Sequence, residues 1–140
     1  MRDLPQDFSL AGDGGISEMI GREVLDYDAA QKKVRMKFEL GDVFVNFQGV
    51  IHGGIIATLM DTLCGVVIRL SSDTNKFAGQ VTLELKTSFL STANPGKFIG
   101  EGQVKRMGKS IAFAQSDLFD SENNHIATAS ATFKLRPRKN

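Results

Sequence analysis

From Gly53 to about Ser71 the chain reads as one long, nearly all-apolar helix, GGIIATLMDTLCGVVIRLS. A helix that is apolar around most of its circumference must be covered around most of it. No second helix of comparable length is visible, and the flanking segments are patterned as strands, so the covering layer must be a sheet.

The strands can be read from their alternation. In KKVRMKFEL, Val34, Met36, Phe38 and Leu40 point one way and Lys33, Arg35, Lys37 and Glu39 the other. DYDAAQKK before it has turn chemistry, which predicts a hairpin with one wet face, and ISEMIGREVLDYD holds a short helix and the first strand. After the helix, SSDTNKFAG breaks the pattern. Val81, Leu83, Leu85, Thr87 and Phe89 then alternate with Gln80, Thr82, Glu84, Lys86 and Ser88, which predicts two distinct faces. STANPGK, GKS and SENNH read as turns between this strand and three more, KFIGEGQVKRM, IAFAQSDLFD and IATASATFKL. The expected class is α+β, in the order β-β-α-β-β-β-β. The four last strands are expected as a meander of adjacent hairpins in one antiparallel sheet. Residues 1–15 are expected to be a loose N-terminal segment, 16–136 a single domain, and 137–140 the end of a basic tail.

Charge and composition exclude several functions. Lys plus Arg (17) nearly cancel Asp plus Glu (16), so no basic field points to nucleic acid. A single cysteine, Cys64, leaves no intrachain disulfide and no multi-cysteine zinc site, and its apolar surroundings suggest a packed small residue. No metal and no cofactor is expected. The N-terminus has no apolar core of a secretory signal. The apolar run is interrupted at Asp61 and Thr62 and is shorter than the ~20 residues of a membrane span, so no membrane association and a cytoplasmic location are expected.

Within the helix, Thr58, Asp61, Thr62, Gly65 and Arg69 share one narrow stripe at spacings of three and four. A solvent face would carry more Lys, Glu and Gln. Small and hydroxylated residues around one acid instead suit close approach of a ligand or another backbone. His52-Gly53-Gly54 opens the helix. The first N–H groups of a helix have no internal partners and sit at the positive end of its dipole, where they can receive a developing negative charge. A tight loop-to-helix turn would also explain the glycines. Gly53 and Asp61 are eight residues apart, about 12 Å along the axis. Reacting groups must come within roughly 3–3.5 Å. If both serve one site, they come from two copies of the chain, which predicts a two-fold dimer.

The pattern Asn46-x-x-Gly49-x-x-His52-Gly53-Gly54, followed by Asp61 and Gly65 in an apolar helix, resembles the hotdog-fold acyl-CoA thioesterases, in particular the phenylacetic-acid-degradation branch. The resemblance covers about residues 16–136 and implies an antiparallel sheet wrapped around the one long helix. It implies hydrolysis of an acyl- or aryl-acyl-CoA to free acid and CoA, by homodimers that can pair into tetramers. Asp61 would be general base or nucleophile, and the Gly53 N–H the oxyanion donor. His52 and Asn46 would position the thioester or the catalytic loop, and Thr82 would hold the attacking water. Gly54 would lie against the substrate, and Arg106, Gly108, Lys109 and Ser110 near the CoA phosphates; RMGKS also reads as a plain polar hairpin turn. The family often has proline directly after the position of Ser91, where this chain has Thr92 and delays the proline to Pro95. Two other readings remain open at this level: an acyl-thioester hydratase or dehydratase of the same fold, and a non-catalytic acyl-CoA-binding module.

Overall fold

The computed structural model describes Leu4 and residues 14–139. The remainder of the segment expected to be loose lies outside the described residues. A short helix α1 (Gly15–Met19) leads into β1 (Glu23–Asp28) and β2 (Lys33–Leu40). A 3-10 turn, Asp42–Phe44, precedes the long helix α2 (Gly53–Ser71). Four strands follow: β3 (Phe77–Phe89), β4 (Gly96–Met107), β5 (Ile111–Asp120) and β6 (His125–Pro137). They form one six-stranded antiparallel sheet in the order β1-β2-β4-β5-β6-β3. This is the hotdog arrangement, with the sheet curved around α2.

The order corrects the expected meander. β4, β5 and β6 are joined by hairpins, but β3 pairs with β6 at the far edge, and β4 pairs with β2. STANPGK is therefore a crossing and not a hairpin turn. It passes the start of α2, where Ala93 is buried and its carbonyl accepts the Ile51 N–H at 2.8 Å. The crossing carries the chain from β3 at the edge of the sheet to β4 in its interior, where Gly100 and Gly102 lie directly against the helix.

Hydrophobic patterning explains the core. Val34, Met36, Phe38 and Leu40 are buried, as their alternation predicts. On the outer face, Lys33 pairs with Glu101 and Lys37 with Glu23, both at 3.1 Å. The centre of the inner face is made of small residues: Gly100 and Gly102 on β4, Ala112, Ala114 and Ser116 on β5, and Ala127, Ala129 and Ala131 on β6. Such a floor lets the helix backbone approach the sheet closely. A β-carbon at Gly102 would stand 2.5 Å from the Leu63 carbonyl oxygen.

By length and composition α2 is long enough to cross a membrane, contrary to the expectation of a run too short. Here its apolar surface is taken up by the sheet. Leu59, Met60, Leu63, Cys64, Val67 and Ile68 are all fully buried in the core. The expected basic tail is likewise held in place at its start. Pro137 pairs with Phe77, and the Arg138 N–H and Nε donate to the carbonyls of Lys76 and Thr74, each at 2.8 Å.

Cys64 is packed. Burial pushes its thiol up to about 11, partly opposed by a hydrogen bond with Ser116 and reinforced by the negative charges of Asp61 and Asp117. The thiolate is the reactive form, so at neutral pH the folded protein should leave Cys64 unlabelled by a thiol reagent. Labelling should appear only in denaturant, and mass spectrometry of the native protein checks this. Stoichiometric labelling within minutes would contradict the burial.

Candidate active site

Asp61 sits midway along α2, half buried, and its Oδ1 accepts a hydrogen bond from the Thr82 hydroxyl at 2.8 Å. Simple alternation along β3 hides the reason these two meet. The β3–β6 register slips between Thr82 and Glu84, where a bulge inserts Leu83. Before the bulge, Gln80 and Thr82 pair with Leu135 and Phe133 and share their inner face. After it, Leu85, Thr87 and Phe89 pair with Ala131, Ala129 and Ala127 and occupy that face instead. An extra residue exchanges the two faces of a strand. The expectation that Val81 and Leu83 share one face with Leu85 is thereby corrected: the slip puts them on the other face, 43% and 55% exposed.

Around Asp61, the stripe residues Thr62, Gly65 and Arg69 line an open cavity of about 250 Å³ together with Arg22, Gln80 and Thr82. Gln80 was not singled out from the sequence. Its Nε2 donates to the Gly65 carbonyl at 3.1 Å and ties β3 to the helix beside the acid. The threonine hydroxyls of the stripe are used locally. Thr58 bonds the Gly54 carbonyl at 3.0 Å and Thr62 the Thr58 carbonyl at 2.7 Å.

The start of α2 is built by a separate device. Asn46 to Val50 is a tight loop in which the Gly49 N–H donates to the Asn46 carbonyl and Gly49 adopts φ 82°. A turn closed by a left-handed residue selects glycine there. The Asn46 side-chain oxygen accepts the N–H groups of Gln48 (2.9 Å) and Val50 (3.4 Å). Asn46 thus holds the loop. His52 occupies the N-cap, exposed and with no capping side-chain bond. Its backbone N–H donates to the Phe44 carbonyl, and its carbonyl accepts from Ile55 and Ile56. Among the described residues, the N–H groups of Gly53 and Gly54 have no backbone acceptor. The ring of Phe89 lies against Gly53, 3.4 Å from where a β-carbon would be, while Gly54 is open.

One chain does not bring the two halves together. Gly53 packs beside Phe89 and Asp61 beside Thr82, seven residues apart along β3. Nor does the RMGKS turn reach Asp61. Thr82 pairs with Phe133, Phe133 with Ala112, and Ala112 with Met107, three strand spacings or roughly 14 Å. Arg106, Lys109 and Ser110 are exposed there. Gly108 is explained by the hairpin itself: its N–H bonds the Ile111 carbonyl, and a β-carbon would meet that oxygen at 2.8 Å. No cluster of three or more metal-ligating side chains occurs among the described residues.

Comparison with known proteins bears on what this arrangement is for. The family description of the thioesterase superfamily matches residues 48–127, more than half of the chain. An esterase candidate of Halobacterium salinarum is 28% identical over 136 residues, covering 91% of this chain and 88% of its own. The medium/long-chain acyl-CoA thioesterase YigI of Escherichia coli is 27% identical over 99 residues, covering 63% of this chain and 64% of that protein, under two thirds of its length. A phenylacetic-acid-degradation-related protein of Ralstonia eutropha superimposes with a TM-score of 0.80 at 22% identity, covering 88% of this chain and 93% of that one; this likeness concerns the fold.

Proposed function

The chain belongs to the thioesterase superfamily, and on that premise we propose that it hydrolyses acyl-CoA thioesters at two sites shared between two copies of itself. The observation that carries the reading is the separation of the two half-sites: a carboxylate held by Thr82 at mid-helix and an uncapped helix start about 12 Å away. Each half suits one part of thioester cleavage. The Gly53 N–H polarises the carbonyl and takes the oxyanion, with the positive end of the helix dipole behind it. Asp61 of the other copy deprotonates water or attacks the carbonyl carbon directly, and CoA leaves as the thiol. The Thr82 hydroxyl donates to Oδ1 and orients the carboxylate, leaving Oδ2 for the reaction.

The free flank of β3 supports the pairing of two copies. It is a 13-residue edge strand with exposed Val81 and Leu83, the kind of edge that proteins cover or pair. The phosphates of CoA would be met by Arg106, Lys109 and Ser110 at the exposed β4–β5 turn, from whichever copy faces the thioester.

Gly53→Pro tests the scheme cleanly. Gly53 is the first helical residue, where proline is tolerated, and His52 at ψ 136° already has the backbone proline requires before it. The variant deletes the proposed donor and sets the proline ring in van der Waals contact with Phe89. Loss of one such donor should lower kcat by about 10²–10³-fold. Mixing it with Asp61→Asn should then restore activity. Each mixed dimer holds one intact site, so random exchange regains about a quarter of wild-type turnover. Two inactive parents that stay inactive after verified subunit exchange would sink the shared-site reading.

A further inference from the structure

Among the described residues, one buried side-chain polar atom has no hydrogen-bond partner, the hydroxyl oxygen of Thr87 on β3. Such a group costs free energy unless something outside the chain satisfies it. Thr87 lies on the inner face of the edge strand, the face shared by Thr82, which holds Asp61. We propose that Thr87 of a second copy hydrogen-bonds Thr82 and so positions Asp61, in a β3-to-β3 pairing whose register is set by Glu84 and Lys86. The inference rests on the two-copy thioesterase reading and adds which residues of the second copy the acid half-site needs.

Charge selects the register. Opposed residues of an antiparallel pair point to the same face, so outer-face residues must meet outer-face residues. Glu84, Lys86 and Ser88 lie on the outer face, opposite Thr132, Ser130 and Thr128 of β6. A two-fold axis through Glu84 would oppose Glu84 to itself, and an axis through Lys86 would oppose Lys86 to itself. An axis through Leu85 instead sets Glu84 of each copy against Lys86 of the other. Both side chains are exposed, and neither has an ion-pair partner among the described residues. Opposite charges directly across a strand pair stabilise it, and like charges destabilise it.

The bulge then places the threonines. Against β6, Thr82 takes the position next to Glu84 because Leu83 is extra. With Glu84 opposite Lys86 of the second copy, Thr82 falls opposite Thr87 of that copy, on the inner face. Opposed β-carbons stand about 4.5–5.5 Å apart, within reach of a Thr–Thr hydrogen bond. The Thr82 hydroxyl donates to Asp61, and its oxygen can still accept. One turn about χ1 aims the Thr87 hydroxyl at the open flank, where it donates. Phe89 of the second copy, which lies against Gly53, then stands two residues beyond Thr87, about 7 Å along the strand. The same register therefore carries the helix start of one copy toward the acid of the other.

Two mixing experiments test it. The first reads the register by native mass spectrometry at low ionic strength, where exposed charges are least screened. Glu84→Lys and Lys86→Glu should each self-associate about tenfold more weakly than wild type, since two cross-strand pairs turn repulsive. Mixed together they should recover, because both contacts of the heterodimer again join opposite charges. A heterodimer share well above the statistical value of about one half is a gain that misfolding cannot produce. A statistical mixture, or variants that pair like the wild type, would overturn the register. The second experiment reads Thr87. Thr87→Val should lower kcat about two- to tenfold, the contribution of one hydrogen bond, with KM unchanged, and Thr87→Ser should restore it. A trace of Thr87→Val in an excess of Asp61→Asn should regain wild-type turnover per intact Asp61, because its acid now faces an intact Thr87. A trace of wild type in an excess of the Thr87→Val, Asp61→Asn double variant should fall to the Thr87→Val level. The reverse outcome in the two mixtures, or an unchanged kcat in Thr87→Val, would overturn the role of Thr87. Thiol release is followed throughout. Charge-directed heterodimers without release keep the register and remove the hydrolase. Release with statistical mixing keeps the hydrolase and removes the register.

Discussion

Asp61→Asn is expected to lower thiol release from octanoyl- or phenylacetyl-CoA by about three orders of magnitude, within the range lost when a general base or nucleophile is removed. The substitution is nearly isosteric. The Asn oxygen can still accept from the Thr82 hydroxyl, so the 2.8 Å contact and the position of the helix should survive. The missing element is an oxygen that can take a proton or form an anhydride. Stability and self-association should stay near wild type, as checked by thermal melting and light scattering. Turnover within tenfold of wild type would remove Asp61 from the chemistry. Single turnover of the wild type in labelled water then divides the two roles. A nucleophile leaves label in the Asp61 carboxylate, whereas a base leaves it only in the acid product.

Gly102→Ala should have the largest effect on stability, although Gly102 is not placed at the site. Its β-carbon would meet the Leu63 carbonyl oxygen at 2.5 Å and the carbonyl carbon at 3.0 Å. A backbone group cannot rotate away, so α2 must lift by at least about half an ångström. Overpacking of this kind costs about 1–3 kcal/mol, and we expect the upper end, a fall in Tm of roughly 10 °C. The same lift moves Asp61, two residues before Leu63, relative to Thr82, so residual activity should fall as well. Gly100→Ala is the control. The three atoms nearest its β-carbon would be side-chain atoms of Leu63, which can change rotamer, so its cost should be smaller. Equal costs for the two would mean that the helix is not held against β4 by its backbone.

Much of the fold was legible because it follows from burial period. The alternation in β2 and the apolar breadth of α2 each state which side faces inward, and the helix boundaries followed from its glycine start and the turn chemistry after it. Two features were not legible. Adjacent strands with a turn between them look like a hairpin, but the choice of partner for β3 is made by the helix it must help to cover. The bulge at Leu83 was also invisible. Alternation continues in the letters across it, while the register slip exchanges the faces, and Thr82 points at Asp61 because of that slip. The small-residue floor was written in GEG, AFAQS and ATASA, yet its meaning as a seat for a helix needs the strand order to bring those segments side by side.

The sequence by itself determined that one apolar helix must be wrapped by an antiparallel sheet, and that an acid at position 61 cannot meet the helix start at 53 within one chain. Both follow from local quantities: side-chain period, and 1.5 Å of rise per residue. The tertiary structure decided what stands beside each half. It set Thr82 and Gln80 against the acid side of the helix, and the ring of Phe89 against its start. Those neighbours come from register and strand order, which depend on pairings between distant segments and on how closely the helix can settle onto Gly102.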